Sequence, residues 1–192
     1  MHVNFGVGTN RPHPVTYSEA TLEEKQLRMY YSTVRLAMSV LSQTSELNLH
    51  TRRENQVENV IDRRPPRAGD QLLCDDYRRD YPAALHRPTS ATRQYNCHGL
   101  TFASRRTWIW RPSEIRKILQ EDDYERVDPE GVLPGDIVVY VHKGDVEHSG
   151  IVIAKGLPPL VLSKWGPAHE VLHRVNDCPY SAMQIVYYRI IR

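Results

Sequence analysis

A chain of 192 residues that is 40% hydrophobic and 25% charged has material for one packed domain, or one domain carrying an extension. Its 25 basic and 23 acidic residues nearly cancel at +2, which argues against a general polyanion binder. The Arg pairs at 52–53, 63–64 and 105–106 are scattered and lack interleaved stacking aromatics, so no nucleic-acid partner is expected.

No apolar run approaches the roughly 20 residues needed to cross a bilayer, and the N-terminus lacks the basic-then-apolar order of a secretory signal. Three widely spaced cysteines point to free thiols in a reducing compartment. The expected location is the cytoplasm without a membrane partner, the alternative being export by a specialised route.

Residues 1–20 carry Gly, Pro, Asn and His without a period and predict a flexible arm. Thr21 and Glu24 have the spacing of a capping box, followed by Leu27, Tyr31, Val34, Met38 and Leu41 on one stripe, which predicts an amphipathic helix. Residues 44–70 predict a partly helical connector closed by Pro65-Pro66, and residues 71–95 an irregular covering segment. A short helix is expected from Cys97 with Asn96 as its cap, and a second from Pro112 to Gln120 burying Ile115, Ile118 and Leu119. Strands follow at 136–142, 148–155 and 160–165 as an antiparallel meander, then at EVLHRV and MQIVYYRII. The expected class is α+β, with an arm and helical extension over 1–70 and the main domain over 71–192.

Cys97 stands at the first turn of its helix, where free amides and the helix dipole favour a thiolate. Alone it reads first as a buried structural cysteine. His148, expected to open its strand and project from the end of the sheet, is placed to meet such a helix start, and a Cys–His pair supplies nucleophile and general base. A metal site built from Cys74, Cys97, His98, His142 and His148 lacks any close-spaced ligand pair, so no metal or organic cofactor is expected.

YNCHGLTFASR resembles the nucleophile segment of the NlpC/P60 branch of papain-like cysteine peptidases. VLPGDIVVY resembles that family's strand entry, and HSGIVI its strand carrying the catalytic His. The order of the three excludes the permuted acyltransferase relatives, whose Cys follows the His. The resemblance implies a papain-like fold, with the nucleophile on a helix N-terminus packed against an antiparallel sheet. It implies Cys97 as nucleophile, His148 as general base and the Cys97 amide as an oxyanion donor. Gly99 would be a packing residue, and Gly135-Asp136 would turn the chain into its strand.

The family's third polar residue aligns with Ser163, with Trp165, Glu170, His169 and His173 as nearby alternatives. His98 stands where the family has a small Ser, and reads either as a second proton carrier or as a helix-surface residue. Asn96, His98, Lys164 and Trp165 are the candidates for lining the substrate groove or the oxyanion site. The expected activity is hydrolysis of an amide bond in a peptide, protein or peptidoglycan-peptide substrate through an acyl-enzyme. The same dyad would serve an amidase or acyltransferase. A papain-like module that binds a peptide or protein without catalysis is the alternative. The joint occurrence of NCHG, HSG and SKWG resembles uncharacterised bacterial proteins and implies a bacterial origin.

Overall fold

The computed structural model describes residues 43–191, so the arm over 1–20 and the helix expected from Thr21 lie outside the described residues. In chain order, β1 (Thr44–Ser45) pairs with β2 (Ile61–Asp62), and α1 (Ala68–Asp80) leads to β3 (Leu85–Arg87). Two helices follow, α2 (Cys97–Phe102) and α3 (Pro112–Glu121), and then β4 (Tyr124–Val127). The remaining strands are β5 (Ile137–His142), β6 (Asp145–Ala154), β7 (Leu160–Lys164), β8 (Glu170–Arg174) and β9 (Gln184–Ile190). Strands β3 to β9 form one sheet in the order β3-β8-β7-β6-β5-β9-β4, antiparallel throughout its ladders. The class is α+β with an antiparallel sheet and few helices; β5 to β7 form the expected meander, and β8 pairs beside β7.

Both faces of the sheet are covered. Val138, Tyr140, Val152, Val161, Trp165 and Val171 point to one face, where Tyr77 and Tyr81 pack on them. Ile137, Val139 and Val146 point to the other, against Ile115, Ile118 and Leu119 of α3. Pro112 occupies the first turn of α3, where its missing N–H costs nothing. Lys143 and Gly144 both take positive φ (51° and 88°), the two-residue turn whose twist suits the β5–β6 hairpin.

Three expectations are corrected. Residues 43–67 contain no helix: they run extended, with Val57 buried in the α3-side core and Asn59 donating to Leu47 O and Val57 O. They belong to the same compact unit as the sheet. The segment from 71 opens within α1, whose buried stripe is Asp70 and Cys74 with Tyr77. Strand β6 begins at Asp145, so His148 is its fourth residue and is fully buried, not projecting from the end of the sheet. No expectation from the sequence covers strands β1 to β4.

Candidate active site

The local geometry begins with Asn96. Its Oδ1 accepts from the Gly99 N–H (2.9 Å) and from the Ile109 N–H (3.2 Å), while its Nδ2 donates to Ile109 O (2.6 Å). One side chain therefore caps α2 and fastens it to the 107–109 segment. Gly99 makes this approach possible, because a Cβ there would meet the Thr107 carbonyl. Both acceptor sites of Oδ1 and one of the two Nδ2 donors are thereby engaged.

Cys97, the first residue of α2, is 6% exposed. The β6–β7 ladder ends at Gly150↔Ser163, leaving the edge of β6 at His148–Ser149 open to the start of α2. There the backbone N–H of Ser149 faces the Cys97 thiol, as do those of His98 and Cys97 itself. These amides, together with the nearby Lys164 ammonium, favour the thiolate. Burial opposes them and prevails, pushing the thiol up to about 11. The thiolate expected from the helix start is thus not the resting form.

His148 lies on the opposite face of the sheet from α3, and a bulge parts it from Val146 two residues before. Tyr140 pairs with His148 while Val141 pairs with Val146, so Glu147 is an extra residue on β6. Val146 consequently faces the α3 side, and His148 faces the other. Its ring stacks on Tyr180 at 3.8 Å between centroids and 8° between planes. Neither ring nitrogen has a hydrogen-bond partner among the described residues. Burial drives its pKa well below the ordinary value, with His98 and His173 adding to the shift. Cys97 and His148 make no hydrogen bond to each other, and each is held uncharged.

A buried chain of hydrogen bonds links α2 to β6. Thr101 Oγ1 donates to Cys97 O (2.9 Å), and Ser149 Oγ donates to Thr101 Oγ1 (3.0 Å). Ser149 Oγ can then only accept from His98 Nδ1 (2.9 Å), which fixes the proton of that ring on Nδ1. Burial pushes His98 down to about 3. It is an interior residue of the site, not a helix-surface one.

The residues proposed to orient His148 are occupied elsewhere. Ser163 Oγ contacts His173 Nε2 (2.8 Å) and accepts from Trp165 Nε1 (3.0 Å). His173 Nδ1 donates to Arg174 O (2.8 Å), His169 Nε2 meets Arg78 Nη2 (3.2 Å), and Glu170 is held by Tyr95 and two arginines. Trp165 is fully buried in the core between Tyr77, Tyr81 and His173. Lys164 is fully buried, donates to Gly166 O (3.1 Å) and Ala168 O (2.6 Å), and is pushed down to about 8 by burial. Tyr180, Ser149 and Thr101 were missed. Tyr180 sits in an aperiodic loop and gave no signal, whereas Ser149 adjoins His148 and Thr101 lies in the nucleophile segment.

No group of His, Cys, Asp and Glu able to hold a metal ion occurs among the described residues. No helix among them is long and apolar enough to cross a membrane. Comparison with curated proteins and with solved structures finds no match to this chain. A family model does match, over residues 87–187, which takes in Cys97, His148 and the whole meander. The chain belongs to that family, described as a domain of unknown function (DUF7689).

Proposed function

We propose that this chain is a thiol hydrolase of amide bonds, built on a papain-like, NlpC/P60-type plan, with Cys97 as nucleophile and His148 as general base. The observation that carries the reading is His148 itself. A fully buried imidazole with both nitrogens unpartnered is costly as a structural residue, and it stands in the strand whose edge meets the Cys97 thiol. Because thiol and imidazole are both neutral at rest, the proton moves during the attack and not before it. Sγ bonds to the substrate carbonyl carbon as its proton passes to an imidazole nitrogen. The Cys97 amide faces the carbonyl oxygen as it becomes an anion. The tetrahedral species then expels the amine, which takes the proton from the imidazolium, and leaves a thioester. Water, deprotonated by His148, hydrolyses the thioester and frees the carboxylate and the thiol.

The sealing of His148 beneath Tyr180, together with the burial of Cys97, favours a second reading: a module that binds a peptide or protein without catalysis.

Alkylation by iodoacetamide at neutral pH, followed by intact mass, separates the two readings. Under the hydrolase reading the wild type alkylates at Cys97 at least tenfold faster than His148→Ala, at the low end of what a positioned base supplies (about 10²–10⁴). Equal, slow rates in both proteins refute the hydrolase and leave the binding module. Cys74 and Cys178 are fully buried and serve as internal controls.

A further inference from the structure

Beside α2 lies a cleft of about 310 Å³ walled by Arg87, Thr92, Gln94 and Arg105, with Tyr95 and Glu170 in its lining. Glu170 is 2% exposed at its side chain and is saturated with donors. Its Oε1 accepts from Tyr95 Oη (2.6 Å) and Arg105 Nε (2.5 Å), and its Oε2 from Arg87 Nη1 (3.3 Å) and Arg105 Nη2 (3.4 Å). Two guanidiniums thus share one carboxylate, and one positive charge is left over at the cleft. Arg87 is set opposite Glu170 by the β3–β8 register, with its side chain 66% exposed. Arg105 is delivered by a backbone that takes φ of 50° at Ser104 and 66° at Arg105, two consecutive non-glycine residues in the left-handed region. Such a conformation costs of order 1–2 kcal/mol per residue and tends to persist where function requires it.

We propose that this cleft binds the carboxylate of a ligand. A guanidinium presents paired donors that match the two oxygens of a carboxylate, and the buried Glu170 pre-orients both arginines for it. The single surplus charge suits a monoanion better than a phosphate dianion. Tyr95 and Arg105 bracket the six-residue helix headed by Cys97. A helix of that length spans about 9 Å, the reach of about three extended peptide residues. As a substrate subsite the cleft rests on the hydrolase reading, and it selects peptides with a free carboxylate close to the scissile bond. As a ligand site it does not depend on that reading.

The test is isothermal titration of the full chain with N-acetylalanine, its neutral amide and inorganic phosphate, with no turnover involved. Saturable binding of N-acetylalanine alone, weakened at least roughly tenfold in Arg87→Gln, is the expected result. Arg87 is exposed, so this variant keeps the wild-type thermal melt. Absence of N-acetylalanine binding, equal binding of the amide, preference for phosphate, or undiminished affinity in a folded Arg87→Gln each overturns the proposal.

Discussion

Replacing Gly99 by Ala tests the packing that positions Cys97. The added Cβ would lie 1.7 Å from the Thr107 carbonyl oxygen, 2.9 Å from its carbon and 3.1 Å from Tyr95 Cβ. The two closest atoms belong to backbone, so no side chain can swing aside. Helix α2 must retreat by roughly 1.5 Å from the 107–109 segment before the contact becomes ordinary. That displacement stretches both Asn96 bonds to Ile109, now 2.6 and 3.2 Å. Overpacking of about 1–3 kcal/mol plus two buried hydrogen bonds of about 1 kcal/mol each gives about 3–5 kcal/mol. For a unit of this size that lowers the melting temperature by about 12 °C. Thermal unfolding by circular dichroism measures it, with Gly69→Ala as the control, since nothing lies within 4 Å of a Cβ there. The control should melt at or slightly above the wild type. A Gly99→Ala protein melting within about 3 °C of wild type would refute the reasoning.

Acid should unfold the protein early. Burial holds His98 at about 3, His169 and His173 at about 4, and His148 well below its ordinary value of 6.5. Folded values below unfolded ones mean stability that is present above pH 6.5 and lost as pH falls towards 4, by up to about 1.4 kcal/mol per pH unit for each ring. Urea midpoints that stay flat across this window would contradict the assignment. Ser163→Ala leaves the Trp165 N–H and His173 Nε2 without their partner, so it should cost about 1–3 kcal/mol in urea unfolding. The same substitution should leave the Cys97 alkylation rate unchanged, because Ser163 does not touch His148. A slowed rate would restore it as the residue that orients the ring.

What the sequence disclosed and what it hid follow from the kinds of signal involved. Helices α2 and α3 carry local start signals, an Asn cap and an N-terminal Pro, and the meander alternates around turn residues. These features are written in neighbouring residues. Helix α1 has a proper stripe at 70, 74 and 77, but its members are Asp, Cys and Tyr and do not resemble an apolar face. Edge strand β3, with Leu85 and Arg87 exposed and only His86 partly buried, offers no pattern to read. Within the site, Cys97 and His148 were legible as residue types. Their electrostatic state was not, because it depends on how completely the fold excludes water. Tyr180 reaches His148 from the loop between β8 and β9, and no local rule foretells such a contact.

Glu147 itself is exposed, and its side chain makes no hydrogen bond among the described residues. Its presence matters more than its identity. Deleting that one residue would make Val146 and His148 neighbours in a regular ladder, with Val146 still opposite Val141 and His148 still opposite Tyr140, so both side chains would keep their faces. What would go is the extra twist that a bulge adds where β6 presents His148 and Ser149 to the start of α2. A relative lacking the extra residue is therefore expected to keep its core and the look of HSG while aiming the imidazole differently at the thiol.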